Sequence, residues 1–212
     1  MKINKINLGI VLAMAFTFSC NLGEGGGCMP AALCQIGGSE YVEYKGGSCD
    51  ISDYGTADIG GQIWMAKNWG CYVPGSECYE RRDANCEKYG RLYDWATAMT
   101  VCPSGWHLPS DEDWDKLTNA DGGSSTAGRY LKTSDWDGEN KHGFSALPGG
   151  YGDSNGYFDY AGSEGYWWSA SASESSGYYA YRWGMKLSST AVDRVSRGKT
   201  NLYSVRCVQV QD

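Results

Sequence analysis

Hydrophobic positions in this chain of 212 residues change period from one segment to the next, and the changes predict its elements. An uncharged apolar run from Leu8 to Phe18 follows Lys2 and Lys5 and ends at Ser19-Cys20. It is well short of the roughly 20 residues that cross a bilayer and fits the core of a secretory signal peptide over 1–19. Gly60-Gly61, between Asp58-Ile59 and Gln62-Ile63-Trp64-Met65, predicts a hairpin. Leu92, Trp95, Ala96 and Met99 then fall on one face of an amphipathic helix that Pro103 stops soon after. Ser110 followed by Asp111, Glu112 and Asp113 predicts a capped helix whose Trp114 and Leu117 face the core. Period two returns at Tyr179, Tyr181, Trp183 and Met185, alternating with Ala180, Arg182 and Gly184 in a strand with one aromatic face. Leu202 to Val210 reads as a terminal strand with Tyr203, Val205 and Cys207 on one side.

The stretch 121–184 holds 13 Gly and 14 aromatic residues in 64, which predicts turns and loops tied down by rings. Together the elements predict an α+β fold with two to three short helices, small antiparallel sheets and long Gly- and aromatic-rich loops. No internal repeat is present. The chain divides into a signal peptide (1–19), a tether (20–27), a Cys-bearing irregular lead-in (28–56) and one domain (57–212).

Composition changes the picture of the core. Residues 20–212 contain only 23 Leu, Ile, Val and Phe, about 12% of that stretch, a fraction at which charged chains tend to be disordered. The 9 Trp and 16 Tyr supply the missing apolar area instead. A net charge of −7 gives no electrostatic reason to meet nucleic acid or anionic lipid, so contact with a membrane is expected only through an N-terminal lipid.

The 9 Cys are an odd number. Cys20, directly after a small residue at the end of the apolar run, resembles a bacterial lipoprotein processing site; the alternative is ordinary cleavage nearby. Lipid on Cys20 leaves Cys28, Cys34, Cys49, Cys71, Cys78, Cys86, Cys102 and Cys207, an even set, and export favours disulfides over a metal site. Cys78 and Cys86, flanking the polar loop 79–85, are the easiest local pair.

Catalytic motifs are absent: no GxSxG or HExxH occurs, and Asp193 stands where a phosphate loop ending at Gly198-Lys199-Thr200 needs glycine. His107, between Trp106 and Leu108, reads as a structural residue. Calcium could be ligated by Asp153, Asn155 and Asp159 around Gly156, or by Asp135, Asp137 and Asn140 around Gly138, although such turns are common without metal. No other cofactor is expected. The aromatics are the best lead to a ligand, because Trp and Tyr faces stack on sugar rings while nearby polar groups satisfy hydroxyls. Tyr151, Asp153, Asn155, Tyr157, Asp159, Tyr160 and Arg182 are the candidate binding residues, whereas Trp167, Trp168 and Trp183 are assigned to the core.

The strings GGQIWMAKNWG (60–70), CYERRDANCEKYGRLYDWATAM (78–99), CPSGWHLPSDEDW (102–114), GFSALPGGY (143–151), GYWWSAS (165–171) and YSVRC (203–207) closely resemble the Fibrobacter succinogenes major paralogous domain. That family is distantly similar to the C-type lectin-like fold and to formylglycine-generating enzymes. The resemblance implies a disulfide between Cys102 and Cys207, with Cys28, Cys34, Cys49 and Cys71 pairing among themselves. Those enzymes bind copper through a Cys pair upstream of the terminal strand, and no Cys lies between Cys102 and Cys207. The calcium-ligating strings of sugar-binding lectins are missing too. The expectation is therefore not an enzyme but a lipid-anchored outer-membrane or surface module that binds polysaccharide, with plant cell-wall glucan the first candidate. The alternative is a structural or protein–protein interaction module contacting another envelope protein. An extracellular enzyme ranks last.

Overall fold

The computed structural model describes residues 34–36, 40–42 and 48–211. Cys20, the tether, Cys28 and the side chain of Cys34 lie outside the described residues. Within the lead-in, β1 (Cys34–Ile36) and β2 (Glu40–Val42) pair antiparallel, a hairpin in a segment expected to be irregular. A Cys49–Cys71 disulfide ties the lead-in to the domain.

The domain begins with β3 (Thr56–Ile59) and β4 (Gln62–Met65). Gly60 and Gly61 between them have φ of 63° and 76°. A two-residue turn with both central φ values positive matches strand twist and favours glycine, so the predicted hairpin forms. Then come α1 (Asp83–Tyr89), β5 (Leu92–Tyr93), α2 (Trp95–Val101), β6 (Trp106–His107), α3 (Asp111–Asn119) and α4 (Ala127–Leu131). The chain ends with β7 (Gly149–Gly152), β8 (Phe158–Ala161), β9 (Glu164–Ala172), β10 (Tyr179–Lys186), β11 (Val192–Gly198), β12 (Tyr203–Ser204) and β13 (Val208–Gln209).

These elements make an α+β fold with two sheets. The larger runs β11-β10-β9-β12-β5, with β7 beside β9 and β8 beside β7; the smaller runs β3-β4-β13-β6. The larger sheet is mixed and not antiparallel as predicted, because both β7 and β12 run parallel to β9. Hairpins are encoded by local turns, but parallel neighbours meet through longer connections.

Helix α3 forms as its sequence predicts. The Ser110 hydroxyl accepts from the Asp113 N–H at 3.2 Å and the Asp113 carboxylate accepts from the Ser110 N–H at 2.9 Å, a reciprocal cap. Trp114 and Leu117 are fully buried. Helix α2 departs from its prediction. Leu92 belongs to β5, and Asp94 caps the helix by accepting from the Thr97 N–H at 2.8 Å. Starting there turns Trp95, Ala98 and Cys102 inward and leaves Ala96 and Met99 exposed. A Cys78–Cys86 disulfide closes not a loop but a 3-10 turn and the first turns of α1.

Two clusters of buried side chains cover opposite faces of the larger sheet. One contains Trp64, Trp114, Phe144, Trp167 and Trp183; the other contains Met65, Trp69, Trp168, Tyr203 and Val205. Period two sends the neighbours Trp167 and Trp168 to different sides. Trp114 stacks on Trp183 with centroids 5.7 Å apart and planes 12° apart.

The terminal segment is not the single strand expected. It leaves the larger sheet after β12 and joins the smaller one at β13, so residues 205–207 bridge the two. Val205 and Cys207 carbonyls accept from the Trp69 and Met65 N–H groups at 2.8 and 3.1 Å. Arg206, fully buried, finds no carboxylate there. Its Nε and Nη2 donate to Asn68 Oδ1 at 3.0 and 2.7 Å, and its Nη1 donates to the Met65 carbonyl at 3.1 Å and to the Phe144 carbonyl. The guanidinium also lies 4.5 Å from the Phe144 ring centroid. Asn68 is held in turn, since Trp167 Nε1 donates to the same Oδ1 at 2.7 Å and Asn68 Nδ2 donates to the Tyr89 carbonyl at 2.8 Å.

The Cys102–Cys207 disulfide joins the end of α2 to this bridge across 105 residues of sequence. Replacing both cysteines by alanine is expected to cost about 4 kcal/mol, from the loop-closure entropy restored to the unfolded chain, read as a lower denaturation midpoint. Arg206→Met, which takes this donor from the Met65 and Phe144 carbonyls and leaves Asn68 Oδ1 with Trp167 Nε1 alone, is expected to cost about 3 kcal/mol or more in the same assay.

Candidate ligand-binding cleft

Period two on three neighbouring strands builds the floor of a cleft. In register, Gly184 of β10 lies opposite Tyr166 of β9 on one side and Asp193 of β11 on the other, while Lys186 lies opposite Glu164. Arg182, Gly184 and Lys186 therefore share one face of β10 with those residues. That face is the one opposite the buried Trp183 and Met185, so at this end of the strand one side is core and the other is the cleft.

Arg182 reaches back over Gly184. A Cβ at Gly184 would collide with the Arg182 guanidinium and come within 2.5 Å of Asp193 Oδ1, so only glycine leaves room for the pair. There Arg182 Nη1 donates to Asp193 Oδ1 at 2.7 Å, and the guanidinium sits 4.4 Å from the Tyr166 ring centroid. The Tyr166 hydroxyl donates to Glu164, which also pairs with Lys186 Nζ at 3.4 Å. Burial, reinforced by the Glu164 carboxylate, pushes the Tyr166 phenol well above its ordinary range, and burial raises Tyr203 and Tyr151 as well. All three phenols remain protonated donors at neutral pH.

The wall comes from the β7–β8 hairpin and β12. Tyr151 stacks on Tyr160 at 6.0 Å and 20°, meets Tyr166 edge-on at 6.0 Å, and leans on Tyr203 at 5.8 Å. Tyr203 in turn meets Trp168 at 4.6 Å, anchoring the wall in the core. Gly150 and Tyr160 stand opposite each other with φ of 65° and 66°. Gly150 needs this backbone, since a Cβ would strike the Asp159 carbonyl. Tyr160 holds it at a steric cost of about 1–2 kcal/mol, which aims its ring at Tyr151. The cleft encloses about 400 Å³ and is completed by Asp153, Arg197 and Asn201.

The profile of the Fibrobacter succinogenes major domain matches residues 57–209. The chain belongs to that family. No curated protein and no solved structure matches it. Every residue of the cleft lies within the span of the family domain.

Of the residues singled out in the sequence, the family domain brings Tyr151, Asp153, Tyr160 and Arg182 together around the cleft. Asn155, Tyr157 and Asp159 lie outside its lining, with Tyr157 74% exposed at the hairpin turn. Asp153 is a turn residue as well: its Oδ1 accepts from the N–H groups of Asn155 and Tyr157 at 2.8 and 2.9 Å. The Tyr157 N–H and its neighbours hold that carboxyl below the usual carboxylate range. Asp159 Oδ1 accepts from the Tyr160 N–H at 2.8 Å, and Asn140 Oδ1 from the Ser145 N–H at 2.7 Å. Asp153 and Asp159 thus each accept from the backbone of their own hairpin, and Asn140 from that of Ser145. Among the described residues no group of three His, Cys, Asp or Glu is placed to hold a metal. His107 lies 3.2 Å from Asp113 Oδ2, the oxygen that also accepts from Ser110, so it belongs to the cap of α3. Trp167, Trp168 and Trp183 are at most 2% exposed.

Sequence reasoning missed Lys186, Arg197, Asn201 and Tyr203 as cleft residues, and β9 adds Glu164 and Tyr166 to the lining. Lys186 was within reach, because it continues the alternation that carries Arg182 and Gly184. Asn201 and Tyr203 come to the cleft through the parallel pairing of β12 with β9 and the antiparallel bridge of Leu202 to Gly152 on β7.

Proposed function

We propose that this protein is a lipid-anchored envelope module that binds polysaccharide in the tyrosine-walled cleft, without catalysis. The observation that carries this reading is the stacked Tyr151–Tyr160 pair, whose outer ring is 44% exposed beside donors already fixed by other residues. A flat face on a rigid wall binds a sugar ring at little conformational cost. The C-type lectin-like arrangement is part of the same proposal, supported by the disulfide from the end of α2 to the terminal segment. Export and lipid on Cys20 rest on the apolar run before Ser19-Cys20 and on the cysteine count. Among the described residues no helix is long and apolar enough to cross a membrane.

Tyr160→Ala and Tyr151→Ala are each expected to weaken binding of soluble oligosaccharides about 3- to 10-fold, the equivalent of one ring contact, while Tyr157→Ala changes nothing. Calorimetry with oligosaccharides chosen from a glycan array measures this. No retention by any glycan would discard the sugar reading in favour of a protein–protein module. The intact mass of the membrane-extracted protein is expected to show a chain starting at Cys20 with acyl groups attached; an unacylated chain would remove the anchor.

A further inference from the structure

The three cations of the cleft, Arg182, Lys186 and Arg197, are matched in number by Asp153, Glu164 and the flanking Asp193, but not in pairing. Both of its carboxylates are engaged, Asp153 by the N–H groups of its own turn and Glu164 by the Tyr166 hydroxyl and Lys186. Arg182 has Asp193. Arg197, across the cleft on β11, is exposed, donates only to the neighbouring Ser196 carbonyl at 3.0 Å, and has no carboxylate partner among the described residues. Its charge nevertheless lies close enough to the Tyr151 and Tyr203 phenols to act on both. Arg182 adds a second unmet donor, since its Nε–H has no acceptor although the residue is only 4% exposed. In a chain of net charge −7, an exposed cleft arginine left without a carboxylate of its own is open to an anionic ligand group.

We infer that the sugar taken by this cleft is acidic: a glycan whose pyranose rings carry carboxylates, with one carboxylate paired to Arg197 and its ring laid on Tyr151 and Tyr160. This rests on the glycan reading and moves the preference away from neutral glucan. A neutral sugar would shield Arg197 from water without offering it a counter-charge, a loss in a desolvated site. A uronate matches the planar guanidinium with two parallel hydrogen bonds, a fit that an ammonium group lacks.

The test is calorimetric titration of the mature protein in detergent with trigalacturonate and, at equal chain length, cellotriose. Trigalacturonate is expected to bind at least 10-fold more tightly at low salt, with the difference shrinking as salt rises. Arg197→Gln, at an exposed position on β11, is expected to keep the melting temperature, to lower trigalacturonate affinity at least 10-fold and so to abolish the preference. Equal affinities for the two sugars, or a preference untouched by Arg197→Gln, would overturn the inference while leaving the glycan reading standing, provided Tyr160→Ala still weakens binding. Binding of neither sugar would overturn the inference, and the glycan reading with it if no other glycan on the array is retained.

Discussion

A buried guanidinium holds this structure together where its two sheets meet. The bridge at 205–207 leaves one ladder and joins another, and backbone at such a crossing loses its regular partners. Arg206 supplies donors there in several directions at once, to Asn68 and to the Met65 and Phe144 carbonyls. A fixed fork of N–H groups suits this work better than any other side chain. Burial pushes its pKa down to about 9, so the group still carries its charge at neutral pH. With no carboxylate alongside, the charge is compensated by carbonyl dipoles and the Phe144 ring, and Asn68 passes the constraint on to Trp167 and the end of α1.

The scarcity of aliphatic residues explains why so much is fixed by directed contacts. Leu and Ile fill space without regard to orientation, whereas Trp and Tyr carry a polar atom that must be placed. Trp168 Nε1 donates to the Tyr93 carbonyl, Trp95 Nε1 to the Ser169 carbonyl and Trp183 Nε1 to Asp111. Each bond fixes a ring against a particular strand or helix end. Disulfides at 49–71, 78–86 and 102–207 add constraints of the same specific kind. A rigid sheet face results, and the cleft is its continuation: Trp168 and Tyr203 belong to the core, while Tyr151 and Tyr160 extend the same packing into solvent.

Where local chemistry decides an element, the chain alone revealed it. The Gly60-Gly61 hairpin, the Ser110 cap and the alternation of β10 follow from turn geometry, capping and period two. The α2 face was misread because an apolar count starting at Leu92 fits helical spacing equally well, and only the cap at Asp94 sets where the helix begins. Aromatic crowding in 151–183 pointed to the right region for a cleft but not to its membership. Tyr157 and Tyr160 look alike in a polar, Gly-rich stretch, yet the left-handed backbone at Tyr160 turns one ring onto Tyr151 while the hairpin leaves the other in water.

By itself, then, the sequence determined the family, the α+β composition, the local turns and caps, and the residue types from which a core poor in aliphatics has to be made. Tertiary structure alone decided that β7 and β12 run parallel to β9, that Arg206 sits in the seam between the sheets, and that Arg197 and Tyr203 share a cleft with Arg182. The reason is one of range. Turns, caps and periodicity act over a few residues and leave a mark in them, whereas parallel pairing and a carbonyl-lined arginine site join segments as much as 140 residues apart and leave none.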